Sequence, residues 1–338
     1  MIPGEFDYFS PHTLDEAITL LETYGTEAKV LAGGVDILRN LKYKVNIEQL
    51  KYIVGLKSIS GLNSIERTRD GIKIGSMTLL SSLEDSGKIK GNFGLLRQAA
   101  NRIGTPQLRN QITVGGNLCQ DLKCWHYNLT GISQFMRKAH EPFCWRKNRS
   151  SSCISVGEDD VYHSVVNIGQ KCWASSPSDM AVVLGALNAK AIIVSKKSEK
   201  QLSVEDLYSN NGDCILESNE IITEILVPNI PEDASAVYFT DKRSTMDLSL
   251  VCIAMIARLD SAKHKFRYVK ATIGGIAPKP ISFEKTFDNA GIDQVKQDIK
   301  KDLLAKVLVR GPDTEFKVNE AKVFIKDALE LIKVGGVS

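Results

Sequence analysis

Five of the seven cysteines, Cys119, Cys124, Cys144, Cys153 and Cys172, crowd one stretch of this 338-residue chain; only Cys214 and Cys252 lie elsewhere. Thiolates at that density suit a metal centre. Disulfides explain them poorly, because the count is odd and the N-terminal "MIPGEFDYF" has no apolar run of a secretion signal. All three tryptophans, Trp125, Trp145 and Trp173, adjoin these cysteines. Three of the five histidines, His126, His140 and His163, share the stretch and read as surface or loop residues more readily than as ligands.

Structural zinc pairs its ligands as C-x₂₋₄-C. Cys119 and Cys124 come near that spacing, but the following intervals of 20, 9 and 19 residues form no second pair. An iron–sulfur cluster tolerates more scattered cysteines. Cys214 and Cys252 read as buried small hydrophobes.

A second kind of chemistry is written in glycine. "LAGGVDIL" and "TVGGN" each read as a strand ending in Gly-Gly, where backbone N–H groups can approach a ligand with no side chain between. The first also opens a helix, whose N-terminus favours a phosphate. Two such turns about eighty residues apart suggest a dinucleotide pyrophosphate held between two loops. A Gly-Gly after a strand is most often only a tight turn, and the G-x-G-x-x-G fingerprint is absent from both places.

The elements that must carry these loops are legible in outline. "HTLDEAITLLETYG" is amphipathic, has capping-box spacing from Thr13 to Glu16, and stops at Gly25. "AKVLA", "YIVGL" and "GIKIGSMT" read as strands, "GNFGLLRQAANRIG" as a helix and "ITVGG" as a strand. Beyond Cys172 come a helix in "SPSDMAVVLGALNA" capped by Ser176 or Ser178, a strand in "KAIIVSK", a short helix in "LSVEDLY" and a strand in "EIITEILVP". Pro228 and Pro231 mark a boundary. "AVYFTDK", "LSLVCIAMIARLD" and "RYVKATIGGIA" then read as antiparallel strands, and "GIDQVKQDIKKDLLAKVL" and "NEAKVFIKDALELIKVGG" as helices. A net charge of +3, ordinary hydrophobic content (43%) and no long basic block speak against nucleic-acid binding. No apolar stretch approaches a bilayer span, and the chain reads as cytoplasmic.

"KVLAGGVDIL", "IGTPQLRNQITVGGNL", "SPSDMAVVLGAL", "EIITEILVP" and "ATIGGIAPKP" occur in that order. Together they resemble the FAD-binding subunit or domain of the molybdenum hydroxylases, the xanthine dehydrogenase and CO dehydrogenase group. The resemblance implies an α+β fold. Residues 1–229 would form a two-part FAD domain of the p-cresol methylhydroxylase/vanillyl-alcohol-oxidase type, split near residue 55. Residues 230–338 would form a CO dehydrogenase flavoprotein-like C-terminal domain. FAD would lie between a first loop of Lys29, Val30, Leu31, Ala32, Gly33, Gly34, Val35, Asp36 and Ile37 and a second of Thr113, Gly115, Gly116 and Asn117. Asp179 would accept hydrogen bonds from the sugar or ribityl hydroxyls, and Ile222 would pack on the cofactor. Lys242 or Arg243 could approach the flavin ring, although a solvated surface pair is the plainer reading of both. Val35 stands where relatives often carry Thr or Ser, so a side-chain phosphate contact is lost.

Residues of about 119–173 form an insert that most members of the group lack. Without periodicity it would be costly as a free loop, and four thiolates around a metal would order it. Within the group it resembles the insert of the 4-hydroxybenzoyl-CoA reductase β subunit, which holds a [4Fe–4S] cluster. By that resemblance the ligands are Cys124, Cys144, Cys153 and Cys172. Cys119 is excluded, because it matches a turn cysteine of relatives without the insert. The three tryptophans would shield the cluster, or simply pack.

The resemblance implies an electron-transfer subunit in a complex with a large molybdenum-cofactor chain and a small chain bearing two [2Fe–2S] clusters, as a doubled heterotrimer. An external carrier such as a ferredoxin would exchange electrons with it. Substrate chemistry would be reductive dehydroxylation of an aromatic CoA thioester, or oxidation of a purine, an aldehyde or CO, in the partner chain. A stand-alone flavin oxidoreductase and a zinc-bearing scaffold are the readings from other classes.

Overall fold

Thr13 starts the first helix: its Oγ1 accepts the Glu16 N–H at 3.2 Å. The Glu16 carboxylate returns to the His12 N–H at 2.8 Å, one residue earlier than a capping box has it. The computed structural model describes residues 5–43, 49–128, 144–149, 151–260 and 265–335. Strand β1 (Asp7–Phe9) precedes helix α1 (Leu14–Tyr24), which buries Ala17, Ile18 and Leu21 and ends at Gly25, φ +51°. Strand β2 (Ala28–Leu31), helix α2 (Val35–Tyr43) and strand β3 (Tyr52–Gly55) follow. The three strands form a parallel sheet in the order β1-β3-β2. The first Gly-Gly is the link from β2 to α2, as its sequence suggests.

Strands β4 (Ile65–Thr68) and β5 (Gly71–Gly75) begin a second sheet. Helices α3 (Leu80–Asp85), α4 (Gly94–Arg102), α5 (Pro106–Arg109), α6 (Val114–Leu118) and α7 (Trp125–Asn128) come next. Helix α8 (Asp179–Ala186) then leads into strands β6 (Lys190–Val194), β7 (Glu199–Ser203) and β8 (Ile221–Pro228). The sheet is antiparallel, in the order β4-β5-β8-β6-β7. All eight residues of α8 are buried, because it sits between this sheet's core and the strands that follow. The "LSVEDLY" helix shrinks to one 3₁₀ turn over residues 205–207.

The "ITVGG" strand expectation fails. Thr113 makes a single bridge to Leu79, and then its hydroxyl accepts the Gly116 N–H at 3.0 Å and caps α6. The second glycine pair is therefore the first turn of a short helix and no strand end.

Strands β9 (Ala234–Asp241), β10 (Val251–Asp260), β11 (Lys265–Gly274) and β12 (Ile281–Ala290) make an antiparallel meander. Helices α9 (Ile292–Leu303) and α10 (Pro312–Lys333) pack on it and close a separate core around Ile253, Phe266, Ile325 and Leu329. Helix α10 starts seven residues before the "NEAK" of its sequence reading. Among the described residues, no helix is long and apolar enough to cross a membrane.

The second half of the insert docks on this C-terminal part. Val165 and Val166 donate to the Ile276 carbonyl at 2.9 and 3.0 Å, and Val166 bridges to Val307. Asp159 caps α10 through the Thr314 N–H and hydroxyl, both at 2.8 Å. Residues 159–166 are thus tied to the C-terminal part by protein contacts. His140 lies outside the described residues.

Candidate functional site

The two glycine segments touch. A Cβ on Gly33 would stand 1.7 Å from the Gln111 carbonyl oxygen, just before Thr113, so only glycine lets the loops close to this distance. Gly34, at φ +82°, makes the left-handed turn into α2. Between the loops opens a cavity of about 410 Å³. Lys29, Val30, Ala32, Gly33, Gly34, Val35, Asp36 and Ile37 line it from the first segment, and Thr113, Gly115, Gly116 and Asn117 from the second. Leu31 is the one residue of the expected set that does not reach the wall. Val35, Asp36 and Ile37 are the first turn of α2, whose amides a helix leaves without intrahelical acceptors. Asp36 ties the first segment to the stretch that follows the second: its carboxylate accepts the Asp121 N–H at 2.8 Å and pairs with the Lys123 ammonium.

Asp179, Lys242 and Ile222 complete the opposite wall. Asp179 opens α8 after the cap Ser178, which in turn donates to Asn117 Oδ1 at 2.8 Å. Its carboxylate accepts from Ser249 Oγ at 2.6 Å and pairs with Lys242 Nζ at 3.2 Å. Both side chains are nearly buried, 8% and 10% exposed, which overturns the surface reading of Lys242. Arg243 does remain outside, paired with Asp247 and stacked over Tyr162. Sequence reasoning missed Ser76. Its Oγ is buried without a hydrogen-bond partner, and the residue lines the cavity at the end of β5. An orphaned hydroxyl on a cavity wall is a donor awaiting a polar ligand. The strand-then-small-residue pattern of "KIGSM" is the signal that could have found it.

The thiols gather one residue beyond the cavity. Lys123 is on its wall, and Cys124 turns away into a buried group with Leu122, Trp145, Cys172 and Ala174. Burial pushes the Cys124 thiol well up, and the nearby thiols of Cys172, Cys144 and Cys153 add to the rise. A bound cation would reverse that penalty. Among the described residues, no three thiols lie within 4.8 Å of one another.

Two polar side chains reach these sulfurs. His163 Nε2 is 3.2 Å from Cys124 Sγ, and its Nδ1 is 2.7 Å from Asp160 Oδ2. Arg146 Nε donates to Cys172 Sγ at 3.2 Å. His163 and His126 are buried, 1% and 8% exposed, and His126 pairs with Glu158 at 2.7 Å, against the surface-histidine expectation. Trp173 is buried and Trp145 half-buried, but Trp125 is 49% exposed and screens little. Cys119 lines the cavity, which none of the other four cysteines of the segment does. Cys252 is buried beside Asp179.

Residues 4–230 match the family described as "FAD binding domain in molybdopterin dehydrogenase". The chain belongs to that family. It is 26% identical to the aldehyde oxidoreductase FAD-binding subunit PaoB of Escherichia coli, over 87% of this chain and 88% of that one. It is also 26% identical to an Escherichia coli xanthine dehydrogenase FAD-binding subunit over 96% of each. Among solved structures it resembles the carbon monoxide dehydrogenase from Hydrogenophaga pseudoflava, with a TM-score of 0.74, 22% identity and 98% coverage of both chains. The molybdopterin dehydrogenase FAD-binding domain gives the cavity its ligand class. The glycine approach, the orphaned Ser76 hydroxyl and the open α2 amides fit a cofactor with a pyrophosphate and hydroxyls.

Proposed function

We propose that this chain is the FAD-binding electron-transfer subunit of a molybdenum hydroxylase-type complex, and that Cys124, Cys144, Cys153 and Cys172 carry a [4Fe–4S] cluster. The observation behind the reading is the adjacency of Lys123 and Cys124: consecutive residues, one on the cofactor cavity and the next packed in a buried group with Cys172. FAD, when bound, supplies conversion between two-electron and one-electron carriers, and a cluster supplies one-electron relay. The chain's own residues hold and insulate. Amides of residues 32–37 and the Lys123 ammonium receive the pyrophosphate, and Ser76 and Asp179 receive hydroxyls. Ile222 packs on the ring system, and Lys242 places its charge on the Asp179 side of the cavity.

The partners we propose are a large molybdenum-cofactor subunit and a small two-cluster [2Fe–2S] subunit, as (αβγ)2 in the cytoplasm. A ferredoxin-like carrier serves as the external partner. We place the chain with 4-hydroxybenzoyl-CoA reductase-like complexes, because an extra low-potential cluster suits electrons delivered to a reluctant aromatic thioester. The relatives' names favour a second reading, an aldehyde- or xanthine-oxidising complex. Anaerobic purification of the native complex tests both. Co-elution with a molybdenum chain and a cluster-bearing small chain, and turnover of an aroyl-CoA in preference to aldehydes or purines, is expected. A colourless, zinc-bearing chain eluting alone overturns it.

A further inference from the structure

Arg146 lies in the insert between Cys144 and Cys153, and its side chain is 5% exposed. Three of its nitrogens are committed. Nε donates to Cys172 Sγ at 3.2 Å, NH1 to Asp213 Oδ1 at 2.5 Å, and NH2 to the Asn211 carbonyl at 2.5 Å. The guanidinium also lies over the Tyr127 ring, 5.4 Å from its centroid. The same 209–214 loop grips the cysteine: Asn211 Oδ1 accepts the N–H groups of Lys171 and Cys172 at 2.7 and 3.2 Å. One loop thus fixes both the sulfur and its charged donor.

Burying a guanidinium is costly unless anions compensate it. Asp213 is one, but its carboxylate is 45% exposed and faces only one edge of the group. Among the described residues, the edge turned to Cys172 meets sulfur alone. A neutral thiol is a weak acceptor there, whereas a metal-bound thiolate takes a charge-assisted bond. A guanidinium does not deprotonate in proteins, so charge and donor persist through every redox state.

Resting on the cluster reading above, the geometry points to Arg146 as a positioning residue that raises the reduction potential of the cluster through Cys172. One-electron reduction adds one negative charge to the cluster and needs no proton. A fixed cation with an N–H on a ligand sulfur favours that more negative state. Tuning of this kind would set how readily the flavin and the cluster exchange electrons.

The test is an EPR-monitored redox titration of the anaerobically isolated complex, wild type against Arg146→Gln, Arg146→Lys and Arg149→Gln. Arg149 is exposed, stacks on Trp145 at 4.1 Å and serves as the control cation of the same segment. Arg146→Gln is expected to keep its four irons and to move the [4Fe–4S] midpoint negative by at least a tenfold change in equilibrium, about 59 mV for one electron. Arg146→Lys is expected to move it less, and Arg149→Gln not at all. Coincident midpoints in iron-replete Arg146 variants overturn the proposal and leave the cluster intact. Iron lost from both Arg146 variants also overturns it, as a purely structural role would give. Absence of iron from the wild type overturns the cluster reading itself.

Discussion

Gly33 rests on the backbone carbonyl of Gln111 so closely that a single added methyl would collide with it. The contact joins the two glycine segments and sets the width of the cofactor cavity. Gly33→Ala must push them apart, and overpacking of this kind costs about 1–3 kcal/mol. We expect a folded protein whose flavin affinity falls about tenfold or more, measured by the bound flavin remaining after gel filtration. Full flavin retention would contradict the cradle.

The pair of Asp179 and Lys242 is nearly buried, so removing one member leaves the other without its opposite charge. Asp179→Ala leaves the ammonium the Arg102 carbonyl at 2.5 Å, and Lys242→Met leaves the carboxylate the Ser249 hydroxyl at 2.6 Å. Each should cost about 1–3 kcal/mol, read by thermal unfolding. Losses near zero in both variants would return the pair to the surface.

Lys317 predicts a pH dependence. It is 1% exposed on α10, donating to the His163 carbonyl at 2.8 Å and to Ser175 Oγ at 3.1 Å. Burial lowers its ammonium from 10.5 to about 7. Between those values the unfolded chain holds a proton that the folded chain lacks, so this group's contribution to stability rises with pH. Below about 7 the folded state carries a buried charge and the cost is complete. Denaturant midpoints of wild type relative to Lys317→Met should therefore climb from about pH 7 to about pH 10. A flat difference would show the lysine to be solvated.

Asp159 ties the insert to the start of α10. Asp159→Ala should speed hydrogen exchange at the first-turn amides of α10 and across residues 160–166. Faster exchange confined to α10 would mean that the insert is held independently of this cap.

The sequence carried local signals well and long-range ones poorly. Thr13, Gly25 and the Gly33-Gly34 turn are read correctly, and the cap narrowed to Ser176 or Ser178 is Ser178, because capping and tight turns are decided within a few residues. The segment from Ile112 to Gly116 misleads because β-branched residues suggest a strand, while the Thr113 cap decides for a helix turn. Strand β12 escapes because its buried residues, Phe283, Phe287 and Ala290, recur at helical spacing along an edge strand with an irregular register. The Asp179–Lys242 pair, the Gly33–Gln111 contact and the docking of the insert join residues far apart in the chain. No periodicity announces such contacts.

Iron and acid-labile sulfide analysis of the anaerobically isolated protein decides between a cluster and bare thiols, with wild type compared against a variant carrying Ser at Cys124, Cys144, Cys153 and Cys172. Four irons and four sulfides per wild-type chain are expected, with both lost from the variant and flavin retained in each. Iron-free wild type, or a variant that keeps its iron, would contradict the cluster reading.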